Sequence, residues 1–193
     1  MMVKRKTITT LTKKTEEDFL DTLFPMGTPS PEEDEQRITD LYKMMVESSE
    51  NLVARRQTVN TFFLTVNGAL LTAIGLLVKG SGDTSLTAFG VAFLTITGGI
   101  FSFAWRSLII SFGQLNKGKF KVINTLESHL KASIYAAEWK ALESGENPKT
   151  YRSFTSREIW VPNVLIALFV VATVIALLIG LKLISPFGTV VSK

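Results

Sequence analysis

The 193-residue chain has no cysteine and only one histidine. Disulfide frameworks, cysteine-type zinc sites and thiol chemistry are therefore excluded. Proline is missing from residues 32–147, a run of 116 residues, which leaves room for long unbroken helices. Charge is also missing over long stretches. Residues 57–105 carry only Lys79 and Asp83, and residues 159–181 carry none. The remaining 121 residues hold 36 of the 38 charges. A soluble core does not need uncharged runs of that length, whereas a helix crossing a bilayer needs about 20 apolar residues. An ordinary cytosolic enzyme is excluded on this ground.

What is present divides into three spans. The first lies within 57–78, its apolar body starting at Thr61, and the second covers 85–105. The third begins at Ile159 and contains VLIALFVVATVIALLIGL, the most hydrophobic stretch of the chain. The N-terminal MMVKRKTITTLTKKTEEDF has basic residues with no apolar run behind them, so no secretory signal is expected. Lysine and arginine number nine in residues 1–60 and nine in 106–158, against one in 79–84 and two after Leu181. Basic residues are retained on the cytoplasmic side. The expected topology is an internal N-terminus, an external turn at 79–84, an internal 106–158 and an external C-terminus.

The domain plan follows from these limits. Residues 1–30 form a weakly ordered cytoplasmic tail, in which TEEDFLDTLF can make a short amphipathic helix. That helix would place Phe19, Leu20, Leu23 and Phe24 on one side, against the membrane or a neighbouring subunit. Residues 31–60 form a cytoplasmic helix leading into the first span, with Ser30-Pro31-Glu32-Glu33 as its start signal. Ile38, Met45, Leu52 and Val59 recur every seven residues along it, a candidate assembly stripe interrupted on its second seam by Ser48 and Arg55. Residues 61–105 make a transmembrane hairpin, with spans at about 61–78 and 85–105. Residues 106–158 form a cytoplasmic helical region in which Gly113 and Gly118 mark a kink or a close helix approach. Thr155-Ser156-Arg157-Glu158 reads as a capping box before the third transmembrane helix, 159–184, and 185–193 is an external tail. No alternation of strand type occurs. The expected fold class is an all-α integral membrane protein with three transmembrane helices and cytoplasmic helical extensions.

Asn67 is the notable polar residue inside the spans, and its amide needs another helix or a wet lumen. Gly68, Gly75, Gly90, Gly98 and Gly99 offer small surfaces for helix packing or for a lumen. Arg55, Arg56, Trp105, Arg106 and Trp160 fall at the membrane boundary and read as interface anchors, with an inward-turned arginine as the alternative. Lys182 is placed to snorkel to the outer surface. His129 has only Glu127 near it in sequence, a poor start for a metal site, and reads as a solvated or interfacial histidine. No catalytic triad spacing, phosphate-cradling glycine loop or metalloprotease motif occurs. No catalytic residue, metal or cofactor is expected, and nine basic against five acidic residues in 106–158 do not point to nucleic acid.

ARRQTVNTFFLTVN (54–67), QLNKGKFKVINTLE (114–127), YAAEW (135–139) and TSREIWVP (155–162) occur in that order around the three spans. Together they resemble the RipA family of small octameric bacterial inner-membrane proteins, over residues 35–181. The resemblance implies a homo-octameric ring and supplies no reaction or functional residue. The expected function is non-enzymatic: an oligomeric membrane protein acting as a gated pore, with partners limited to the bilayer, its own copies and cytoplasmic proteins. The alternatives are a non-conducting scaffold that docks cytoplasmic partners and a membrane-permeabilising conflict-system effector.

Overall fold

The computed structural model describes residues 16–30, 34–80, 84–145 and 154–184. Expectations for residues 1–15, the start-signal residues 31–33, the turn at 81–83, the stretch 146–153 and the tail 185–193 lie outside the described residues. Among the described residues every regular element is a helix. The elements are α1 (16–23), α2 (Glu35–Gly80), α3 (Thr84–Glu127), α4 (Ile134–Ala141), a 3-10 turn at Glu143–Gly145, α5 (Phe154–Glu158) and α6 (Trp160–Gly180).

With 46 and 44 residues, α2 and α3 extend roughly 69 and 66 Å, about twice the thickness of a hydrocarbon layer. Each therefore has an apolar half and a charged half. The 21 residues of α6 reach roughly 32 Å, enough to cross once. Three helices are long and apolar enough to span a membrane. The absence of proline allows the length of α2 and α3, and Gly113 and Gly118 lie inside an uninterrupted α3. Pro162 sits in the first turn of α6, where its missing N–H removes no helical bond. At the other end of the chain, α2 starts at Glu35, and the Asp34 carboxylate accepts from the Ser30 N–H at 3.3 Å.

α3 is the central element, with α2 packed on one side and α6 on another. The antiparallel register of α2 on α3 is constant along its length. Leu77 meets Gly90, Asn67 meets Ser102, Asn60 meets Trp105, Ser49 meets Asn116 and Tyr42 meets Glu127. Glycines make close approach possible in the apolar half. A Cβ on Gly98 would stand 2.5 Å from the Phe169 ring, and one on Gly90 would stand 2.7 Å from a Leu77 methyl. Gly180 receives the Phe89 ring in the same way, and Gly113 lets Thr155 of α5 come against α3. Gly99 only grazes Phe169, and Gly68 and Gly75 have nothing within 4 Å.

The stripe of Ile38, Met45, Leu52 and Val59 lies on the inner side of α2. Ile38 and Leu52 are buried, and Met45 and Val59 pack on buried clusters. The stripe expected to serve assembly is thus taken up within the subunit, because a second long helix of the same chain lies along it. One cluster, at the charged end, joins Phe24, Ile38 and Leu126, with Leu20 and Leu23 packed against it. α1 therefore lies on its own chain, against α2 and α3. The other cluster joins Phe63, Trp105 and Ile109 with Val161 and Leu165 where the charged and apolar halves meet.

Gly98 and Gly118 separate the effects of packing and propensity. Gly98→Val drives two methyls into Phe169, and overpacking of this kind costs about 1–3 kcal/mol. Gly118 has open space around it, so Gly118→Ala should stabilise by up to about 1 kcal/mol through helix propensity. Unfolding midpoints in detergent check both signs.

Candidate functional site

The polar side chains of the apolar half are paired with one another. Asn67, 2% exposed, donates from Nδ2 to the Phe63 carbonyl at 2.8 Å and accepts at Oδ1 from the Ser102 hydroxyl at 3.1 Å. It faces α3, between the two long helices. Thr173 of α6 lies 2.8 Å from the Thr95 hydroxyl and 2.7 Å from its own Phe169 carbonyl, and its single proton serves one at a time. Thr95 in turn donates to the Val91 or Ala92 carbonyl. The exposed Thr65, Thr72 and Thr97 bond the carbonyl one turn back on their own helix. Among the described residues, no buried side-chain nitrogen or oxygen lacks a partner.

A second polar group sits where the apolar and charged halves meet. Arg56 turns inward and pairs with Glu158 through Nη2 at 2.7 Å and Nε at 2.8 Å. The same Glu158 oxygen accepts from Asn60 Nδ2 at 3.1 Å, and Asn60 Oδ1 accepts from Trp105 Nε1 at 2.8 Å. Arg56, Glu158, Asn60 and Trp105 thus connect α2, α5 and α3 in one chain of bonds. Its most polar members are partly screened, the Arg56 side chain being 12% exposed.

Three expectations are corrected here. Trp105 is not an interface anchor: it is 3% exposed and stacks on Phe63 with ring centroids 5.9 Å apart. A buried indole N–H needs an acceptor, and Asn60 supplies one. Arg56 is not a head-group anchor, because a carboxylate from a distant part of the chain reaches it. Glu158, read as the end of a capping box, is instead that carboxylate; an ion pair with three donated bonds outweighs a backbone cap. Trp160, 61% exposed, remains at the surface of the same region. Arg55 is exposed beside Glu47, Asn51, Leu115 and Lys119 in a cleft between α2 and α3. Arg106 bonds Asn163 at 2.9 Å.

Glu127 forms the third group, at the far end of α3. It is fully buried. Its Oε1 accepts from the Tyr42 hydroxyl at 3.0 Å and from the Tyr135 N–H at 2.9 Å, and its Oε2 accepts from the Ala136 N–H at 3.1 Å. These N–H groups belong to the first turn of α4, whose Ser133 makes no side-chain cap. A carboxylate from another helix supplies the cap, and its charge favours the positive end of the α4 dipole. Burial, then the bond to Glu127 and that carboxylate's charge, push the Tyr42 phenol up to about 12. The sequence does not single out Tyr42, and it sets Glu127 only beside His129. The relevant spacing runs across 85 residues, and no local pattern encodes it. His129 points Nδ1 at the Thr125 carbonyl, 2.9 Å away, and packs edge-on against Phe24.

Little of the apolar surface is covered by the subunit itself. In their most apolar windows, 11% of α2, 28% of α3 and 17% of α6 are buried. Leu64, Phe93, Ile100, Phe103, Leu168 and Val171 are all more than half exposed. The fold and its polar pairs therefore define a multi-span helical membrane subunit, with matched polar groups inside and unmatched apolar faces outside. The chain belongs to the octameric membrane protein family (8xMP), which it matches over residues 39–179. The match covers nearly three-quarters of the chain and falls within the 35–181 of the resemblance; the name RipA is not attached to it. No curated protein and no solved structure matches the chain.

Tyr42 gives a test with a defined sign. Its folded value lies above the ordinary phenol value of 10.0. Its contribution is complete below pH 10 and is lost as pH rises towards 12, because the unfolded chain releases its proton first. Ultraviolet titration should show one of the three tyrosines ionising late, and Tyr42→Phe should remove that component. At the middle polar group, a double-mutant cycle with Arg56→Met and Glu158→Gln should give a coupling of about 1–3 kcal/mol.

Proposed function

We propose that the protein is a non-enzymatic, non-conducting homo-oligomeric scaffold of the bacterial inner membrane, which presents its charged helical half to cytoplasmic proteins. One observation carries this reading: the buried polar side chains at mid-depth, Asn67, Ser102 and Thr95, are bonded within the subunit, as is Thr173 beside them. A constitutive aqueous pore needs polar groups directed at water, and the buried ones are committed elsewhere. Membership of an octameric family supports assembly of like subunits. The charged parts of α2 and α3 stand roughly 30–40 Å beyond the apolar half, long enough to offer a docking surface. The distribution of basic residues supports the orientation with these parts and both tail-proximal segments of α2 and α5 inside, and the end of α6 outside.

The gated-pore reading is favoured by one feature, the exposed hydroxyls of Thr58, Thr61, Thr65 and Thr72 along α2. Planar-bilayer recording of the purified oligomer separates the two readings. Silence under voltage and pressure is the expected outcome. Reproducible unitary currents that change on Thr65→Val would replace the scaffold with a pore. A reporter fused after Lys193 should be active only outside the cytoplasm; cytoplasmic activity would reverse the orientation.

A further inference from the structure

Three outward faces remain unpartnered in the apolar half, and they differ in chemistry. On α6 the face is aliphatic, with Val164, Leu168 and Val171 exposed, and has nothing polar to match. On α3 it is bulky, with Ile96, Ile100 and Phe103 between 48% and 65% exposed. On α2 a strip of small residues, Thr65, Gly68 and Thr72, is exposed between Phe62, Leu64 and Leu71, which are large and exposed as well, and nothing lies within 4 Å of a Cβ on Gly68. Within the subunit, large side chains already seat on small ones, as Phe169 does on Gly98 and Phe89 on Gly180.

We infer that the outward face of α2 in one copy packs against the outward face of α3 in the next copy, and that α6 is left to lipid. This rests on the homo-oligomeric reading above and adds the faces that meet. In a cyclic assembly all copies share one orientation, so residues meet at equal depth, and a head-to-tail contact joins two different faces. The constant α2–α3 register fixes those depths. It places Thr65 level with Phe103, Gly68 with Ile100 and Thr72 with Ile96, small against large at each step. Carried into the charged half, the same register places Glu47 of α2 level with Lys121 of α3. Both are exposed, and Glu47 makes no ion pair among the described residues. Lys121 holds its ammonium over the Phe19 ring, which leaves its charge open to an acid from outside. The faces therefore match in size within the apolar half and in charge beyond it. The neighbouring copy is the occupant that repeats both patterns at the right depth.

The cysteine-free chain makes the test direct. Thr65→Cys combined with Phe103→Cys is oxidised with copper–phenanthroline in isolated membranes, and Glu47→Cys with Lys121→Cys serves as an independent pair in the charged half. A bridge within one chain adds no mass step, so the ladder reads only bonds between copies. A ladder of bands on a non-reducing gel, rising in steps of the 21.3 kDa monomer and lost on adding reductant, is expected from either pair. Thr65→Cys with Val164→Cys, at the corresponding depth on α6, should give no ladder. A ladder from that α6 pair, or none from the first two while native mass remains oligomeric, would overturn the face assignment and leave the oligomer standing. A monomeric native mass for the unmodified chain would instead remove the homo-oligomeric reading itself.

Discussion

Hydrocarbon offers no hydrogen-bond partner, so each polar side chain that enters it must bring its own. This constraint organises the whole subunit. Asn67 meets Ser102, Thr173 meets Thr95, and the exposed threonines turn back on their own helices. Once those groups are satisfied, the register of α2 and α6 on α3 is set, because a slip of one residue would strand several of them. Glycines then allow the backbones close enough for the bonds to form. What is left outside is apolar or small, and such surface is suited to lipid and to other copies of the chain.

A second consequence concerns the boundary between the apolar and charged halves. Arg56 and Glu158 are 102 residues apart in sequence and adjacent in space. Their pairing brings the start of α6 to α2 even though the two helices do not pack along their length. Asn60 extends the connection to Trp105, whose ring stacks on Phe63 and closes the apolar cluster below. Polar and apolar contacts are thus interleaved, and neither set is complete without the other. At the opposite end, Glu127 plays a comparable part with backbone amides in place of an arginine.

Much of this architecture was legible in the sequence, since it depends on local quantities. Charge-free runs gave three spans, the missing prolines left room for two helices of great length, and the one-sided apolar residues of TEEDFLDTLF gave α1. Asn67 was identified as needing a partner, although the choice between helix and lumen depended on where Ser102 would lie. Less legible were the uses of residues with two plausible roles. Trp105 at the end of a span resembles an interface tryptophan in every local respect; its burial follows from Phe63 and Asn60 on another helix. The stripe from Ile38 to Val59 has the period of an assembly seam, and periodicity cannot state whether the partner helix belongs to the same chain. The Glu127 cap was invisible for the same reason, because its donors are on α4 and its third partner is on α2.

The unbroken length of α3 has a mechanical meaning. A straight rod of roughly 66 Å that tilts by about 10° around its middle carries each end sideways by about 6 Å. Bilayers of different thickness impose tilts of that order on long apolar helices. Such a tilt is a lever stroke: a change of thickness at one end becomes a lateral displacement at the other, where Glu127 holds α4. The apolar and charged halves of α3 are then two arms of about equal length, meeting where Asn60 holds Trp105.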